Sequence, residues 1–165
     1  MKRILVLSDS HGYTTGVRMI AEEAWRIYGH FDAYLHCGDG AGDMERMEEY
    51  FRGHDPHAFI AVVRGNCDGA GYEDIPSERI VNIGGTKIFM THGHGLAVKS
   101  TLLMLNEDAY TSGCTIALFG HTHEPTMEMM SVLLLNPGCA HMGQYLVLEL
   151  KDDGQPRIHM ERLRS

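Results

Sequence analysis

The chain has 165 residues, 44% of them hydrophobic and 22% charged, which suits one domain over residues 1–165 with a sizeable core. A formal net charge of −8 excludes wholesale binding along an extended nucleic acid, which selects a basic face. It leaves room for a small phosphate-containing substrate, provided that bound metal ions supply the local positive charge. No segment reaches membrane-spanning length, and the apolar run after Met1-Lys2-Arg3 is too short for a signal peptide. Cys37, Cys67, Cys114 and Cys139 are widely spaced with no Cys-x-x-Cys pair, so neither structural zinc nor a disulfide framework is expected, and a cytoplasmic location is.

Ile4–Leu7 is a continuous apolar run, as in a strand buried on both faces, and it stops at Ser8-Asp9-Ser10-His11-Gly12. From Thr15 to Tyr28, Val17, Ile20, Ala21, Ala24 and Ile27 recur at helical spacing. Ala33–His36 predicts a second strand, Asp43–Phe51 a polar helix, and Ala58–Val63 a third strand closed by Arg64-Gly65-Asn66-Cys67-Asp68. Strands alternating with helices imply parallel pairing. Then the texture changes. Arg79–Ile83 and Thr86–Met90 flank Gly84-Gly85, a hairpin signal, and the second strand runs into Thr91-His92-Gly93-His94-Gly95. Val98–Tyr110 predicts a helix with Leu102, Leu103, Leu105 and Ala109 inward. Thr115–Phe119 predicts a strand delivering Gly120-His121-Thr122-His123, and Met127–Leu135 strands leading to Asn136-Pro137-Gly138. Tyr145–Leu150 and Arg157–Leu163 form a closing hairpin around Asp152-Asp153-Gly154. The expected fold is α/β: two mixed β-sheets packed face to face, flanked by helices on both sides.

Ligands of α/β sheets bind beyond the carboxyl ends of strands, and every polar cluster falls there: Asp9 and His11, Asp39, Asn66, His92 and His94, His121 and His123, and Asn136. If the strands continued, Asp9 with His11, and His121 with His123, would each share one face. Carboxylate, imidazole and amide oxygen without thiolate suit two divalent ions, manganese first, with iron, nickel, zinc or cobalt also accommodated. From its place in Tyr34-Leu35-His36-Cys37-Gly38-Asp39-Gly40, Asp39 is expected to bridge the pair. Two such ions can orient a phosphoryl group and generate hydroxide near neutral pH.

The order Asp9-x-His11, Gly38-Asp39, Gly65-Asn66-Cys67-Asp68, His92 and Gly120-His121-x-His123 resembles the calcineurin-like metallophosphoesterase superfamily. Chain length, Gly-Asn-Cys-Asp and Asn136-Pro137-Gly138 resemble its small YfcE-type phosphodiesterase branch. The resemblance implies a double β-sheet sandwich. It also implies that Asp9, His11 and His123 hold one metal and Asn66, His92 and His121 the other, with hydrolysis of a small phosphodiester by a metal-bridging hydroxide. Self-association is compatible with it, since small members are often dimers or tetramers.

Where larger members carry a His after the Asn, this chain has Cys67, a poorer proton donor near neutrality. That departure favours diesters with activated leaving groups over phosphomonoesters, the alternative on the same site. His94 is a stand-in acid, with a solvated His as the rival reading, and Asn66 could help to place the phosphate. His36 and Asp68 are expected to support ligands from behind. His30, His54, His57, His141 and His159 read as surface residues, and Met127, Met129 and Met130 as core filler. A non-catalytic scaffold resembling a retromer subunit is a further alternative, set against the intact set of seven ligands; a nuclease would need a basic surface that this chain lacks.

Overall fold

Alternation decides which side each residue of the first strand serves: Ile4 and Val6 face one way, Leu5 and Leu7 the other, and all four are fully buried. The computed structural model describes residues 1–153 and 155–164, so Gly154, expected in the last hairpin turn, lies outside the described residues. In chain order the elements are β1 (Lys2–Leu7), α1 (Thr14–Tyr28), β2 (Ala33–His36), α2 (Ala41–His54), β3 (Phe59–Val62), β4 (Glu78–Ile83) and β5 (Thr86–Thr91). They continue with α3 (Leu103–Thr111), β6 (Ile116–Leu118), β7 (Thr126–Met129), β8 (Leu133–Asn136), β9 (Gln144–Leu150) and β10 (Pro156–Arg162).

One five-stranded sheet has the order β10-β9-β1-β2-β3 and the other β4-β5-β6-β8-β7. Strands β1, β2 and β3 run parallel, as do β5, β6 and β8; the hairpin partners β9, β10, β4 and β7 are antiparallel additions. Ile4, Val6, Leu35, Leu146 and Leu148 of the first sheet meet Ile88, Met90, Ile116, Leu118 and Leu135 of the second in a shared core. On the outer face of the first sheet, Leu5, Leu7, Tyr34 and Val147 pack under α1 and α2, which contribute Val17, Ile20, Met44 and Phe51. On the far side, Leu105 and Ala109 of α3 cover Phe89, Ala117 and Leu134. The expected layering is the observed one. Among the described residues no helix is long and apolar enough to cross a membrane.

Two expectations need correction. The helix expected from Val98 begins only at Leu103, because Ala97 sits in left-handed backbone at φ 54° and a single 3-10 turn, His94–Leu96, precedes it. Val98 is still buried, in a turn, whereas Leu103 of the expected inner face is 62% exposed. Met127 and Met129 are not core filler, being 61% and 72% exposed. They are paired with Leu135 and Leu133 on the outermost strand of their sheet, β7.

The shared core has a simple energetic test. Truncating Leu35→Ala should cost about 2–5 kcal/mol, seen as a lower urea midpoint at unchanged slope.

Candidate metal centre

Both sheets end their parallel strands on one shared cluster. β1 stops at Leu7 and β6 at Leu118, so neither Asp9-x-His11 nor His121-x-His123 lies on a strand, contrary to expectation. Instead Asp9, His11, Asp39, His121 and His123 all adopt left-handed backbone, with φ of 57°, 48°, 59°, 70° and 63°. Non-glycine residues in that region cost roughly 1–3 kcal/mol each and collect where geometry serves a site. The turns, not strand alternation, aim these side chains together.

Asp9 is fully buried. Its Oδ2 accepts hydrogen bonds from Ser8 Oγ at 2.5 Å and the His121 N–H at 3.1 Å, while the buried Oδ1 has no hydrogen-bond partner among the described residues. Nε2 of His123 stands 3.2 Å from that oxygen, that of His11 3.6 Å and that of His92 3.9 Å. The His92 ring donates from Nδ1 to the Cys37 carbonyl at 2.8 Å, which aims Nε2 into the cluster. That nitrogen is buried and unpartnered, lying 3.1 Å from Asp39 Oδ2 without the alignment of a hydrogen bond. The Nε2 atoms of His11 and His123 face each other at 3.3 Å. Carboxylate oxygens and bare ring nitrogens crowded this way need a positive charge among them. Burial alone would lower the His92 proton affinity, yet the Asp39 and Asp9 carboxylates raise it overall. Burial would likewise raise Asp39, but His92, the Cys67 N–H and His11 hold it well below the usual carboxylate range. Divalent cations fit the same requirement with the ring nitrogens unprotonated.

The donor atoms of Asp9, His11 and His123 lie within 4.8 Å of one another, as do those of Asp9, Asp39 and His92, and those of His11, Asp39 and Cys67. His121 sets its ring edge-on to His92 at 5.0 Å between centroids. His94 is exposed, 5.5 Å from the His92 ring. Asn66 and Cys67 are exposed at the rim, where the amide nitrogen of Asn66 lies 3.6 Å from Cys67 Sγ; Asn66 is not drawn into the buried cluster. Asn136 does not face the cluster either. Its amide donates to the Gly120 carbonyl and Thr122 Oγ1 and accepts from Gly138 N–H, so it shapes the turn that carries the two histidines.

Behind the cluster, Asp68 is an organiser. Its two oxygens accept the backbone N–H groups of Asp39, Gly40, Ala41 and Gly65 at 2.8–3.1 Å, fixing the Asp39 turn. Gly65 is required here, because a β-carbon would collide with the Asp39 carboxylate and backbone nitrogen. The Cys67 N–H then holds Asp39 Oδ1 at 2.7 Å and leaves Oδ2 for the cluster. His36 is buried; Nδ1 accepts from Gly38 N–H at 3.1 Å, so Nε2–H donates to Ser10 Oγ at 3.0 Å.

Sequence reasoning passed over Ser8, Ser10 and Asp43, the last a buried carboxylate on α2 that accepts from Gly12 N–H and Thr14 Oγ1. Small polar residues beside Asp9 were the available signal. Three of the histidines read as surface residues meet partners far along or off their own elements, His30 while remaining exposed. His30 contacts Asp55 at 2.7 Å, His54 stacks on Trp25 at 4.1 Å, and His159 contacts Glu149 at 2.9 Å.

Burial pushes the His36 ring down from its ordinary 6.5 to about 4, with the Asp9, Asp68 and Asp43 carboxylates only partly opposing it. Between those values the unfolded chain binds a proton that the folded chain refuses. Stability from this group is therefore complete above pH 6.5 and declines as pH falls toward 4, by up to about 3 kcal/mol. In chelator-treated protein, His36→Gln should lose less stability between pH 7 and pH 4.5 than the parent, by urea unfolding at both values.

Comparison with known proteins places the sequence and the fold. The model of the calcineurin-like phosphoesterase superfamily domain matches residues 1–153. The Bacillus subtilis protein YsnB, named as a probable metallophosphoesterase, is 34% identical over 157 residues, covering 91% of this chain and 85% of that protein. A Streptococcus pneumoniae structure described as a predicted phosphoesterase is 27% identical, with a TM-score of 0.71 over 97% of this chain and 98% of its own. Two more distant structures share the fold. An archaeal phosphodiesterase is 23% identical at a TM-score of 0.70, covering 96% of this chain and 99% of that one. Zinc-complexed Vps29 of Entamoeba histolytica is 19% identical at 0.67, covering 97% and 98%. The family binds divalent metals, and the converging Asp and His donors are candidate sites for them. With its sandwich of mixed sheets and this matched sequence, the chain belongs to the calcineurin-like phosphoesterase superfamily.

Proposed function

We propose that the protein is a dinuclear-metal-dependent phosphodiesterase acting on small phosphodiesters. The observation that carries this reading is the pair of buried, unpartnered atoms, Asp9 Oδ1 and His92 Nε2, aimed at one place with Asp39, His11 and His123 around them. In this reading Asp9, His11 and His123 hold one ion, and His92, His121 and Asn66 the other. Asp39 is shared. Asn66 is exposed with its amide against Cys67, so it would have to reorient to serve as a ligand. Two divalent ions, manganese first among them, supply a hydrolytic nucleophile near neutral pH and charge opposite the phosphoryl oxygens.

The protein's own contribution is orientation. The Cys37 carbonyl fixes the His92 tautomer, Asp68 fixes the Asp39 backbone, and Ser8 with the His121 N–H occupies one Asp9 oxygen so that the other is free. Proton delivery to the leaving group is the weaker function. Burial and the Asp39 carboxylate push the Cys67 thiol up, so it is neutral near pH 7, a poor donor and a weak anion holder. Hence substrates whose leaving group needs little protonation suit the site, which favours activated diesters over alkyl monoesters. The archaeal structural relative is described as a phosphodiesterase, which supports the same choice.

Hydrolysis of bis-p-nitrophenyl phosphate beside p-nitrophenyl phosphate tests the reading, in chelator-stripped protein titrated with Mn²⁺. Diester cleavage should depend on metal and exceed monoester cleavage. Asp39→Asn should fall by more than about 100-fold, beyond the 10–100-fold typical of groups that only orient a ligand. Higher monoesterase activity would replace this reading with a phosphatase. Separately, Cys67→His should raise turnover of diesters with alkyl leaving groups, and unchanged turnover would remove the role given to the missing acid.

A further inference from the structure

A cavity of about 320 Å³ opens beside Asp39, lined on one side by His11, Asp39 and Cys67 and on the other by Gly12, Gly42, Asp43 and Arg46. A larger cavity of about 420 Å³ lies along the other face of α2 and includes none of the candidate ligands. A phosphoryl group held at the metal centre therefore has a chamber for one ester arm within direct reach. Arg46 is the only Lys or Arg among the lining residues of that chamber.

The guanidinium there is held in place. Its Nε donates to Thr14 Oγ1 at 2.9 Å and one terminal nitrogen, Nη2, to Asp43 Oδ1 at 3.1 Å. Asp43 is itself buried and already accepts from Gly12 N–H and Thr14 Oγ1, so both partners of the arginine are fixed. The other terminal nitrogen, Nη1, makes no hydrogen bond among the described residues and lies 3.3 Å from where a β-carbon on Gly42 would stand. A β-carbon at Gly42 would press first on Tyr72 OH, at 2.9 Å, and then on the guanidinium, so the glycine leaves room for both beside the first turn of α2. A donor fork anchored on two sides with N–H groups to spare loses little freedom on binding an anion. Carboxylates crowd the neighbourhood, and without Arg46 an anionic substrate arm would be repelled.

We infer that Arg46 is a specificity-determining residue, and that the preferred substrates are phosphodiesters whose second arm carries a further anionic group, a carboxylate or a phosphate. This rests on the phosphodiesterase reading above and deepens it.

The test uses three p-nitrophenyl phosphodiesters, with ethyl, 2-carboxyethyl or 2-phosphoethyl as the second arm, and Mn²⁺-loaded protein. Parent kcat/KM should be about tenfold higher for at least one anionic arm than for ethyl, as one additional charged hydrogen bond allows, and the better arm identifies the anion. Arg46→Met should erase most of that advantage through KM, and Arg46→Lys should restore part of it. Equal rates on all three arms in the parent, or equal losses on all three in Arg46→Met, would overturn the inference. The same arms on methylphosphonate monoesters, which lack the nitrophenolate leaving group and keep only a poor alkoxide one, titrated calorimetrically, separate the two readings. Absence of hydrolysis alone sinks the phosphodiesterase reading. Equal affinities for the three arms, in parent and variant alike, overturn the assignment of Arg46.

Discussion

The constraint on which the structure turns is the repulsion among lone pairs that it holds together. Asp9 Oδ1, Asp39 Oδ2 and the Nε2 atoms of His11, His92 and His123 are gathered within a few ångströms, with no lysine or arginine among them. Left to themselves these groups would separate into water. They stay because each rides on a rigid turn at the end of a buried strand, and because a proton or a cation can sit between them. The fold tolerates an arrangement that is unfavourable by itself, and that tolerance makes the site useful.

Much of the surrounding polar structure follows from that constraint. Left-handed turns at five donor positions are locally strained, so something must hold each of them. Asp68 gathers four backbone N–H groups around Asp39, Asn136 braces the His121–His123 turn, and Ser10 with neutral His36 supports the floor. These buried contacts are mostly side chain to backbone, the kind that sets loop shape.

The architecture was legible because the strands announce themselves. Ile4–Leu7 and Ala33–His36 are short apolar runs that can only be covered on both faces, and a polar cluster after each marks the ligand end of the sheet. That Asp9, His11, Asp39, His92 and His123 would gather at one place was legible for the same reason. What could not be read was the local geometry. Asp9-x-His11 looks like strand alternation on paper, whereas the two side chains converge through positive φ, a choice imposed by contacts from His121, Cys139 and Gly38 far along the chain. Asn136 stood among the polar clusters because it ends a strand; its amide instead meets the neighbouring turn, which only the order β6-β8 brings alongside. The apolar spacing from Val98 predicted the burial of Val98, Leu105 and Ala109 but not the exposure of Leu103, and it began the helix five residues early, since periodicity reports a buried face and not the backbone that delivers it.

His11 and His123 touch across 112 residues of sequence, and Asp9 reaches His121 over the same separation. No short segment can assemble half of this centre. The contacts that join Asp9 and His11 to His121 and His123 require the two sheets to be docked, and such non-local pairings carry a loop-closure cost. An ion bound there is linked to the whole fold and not to a loop. Its binding energy adds to global stability, in proportion to the logarithm of its concentration. Scarcity of metal would accordingly reach beyond activity, by lowering the share of chains that are folded.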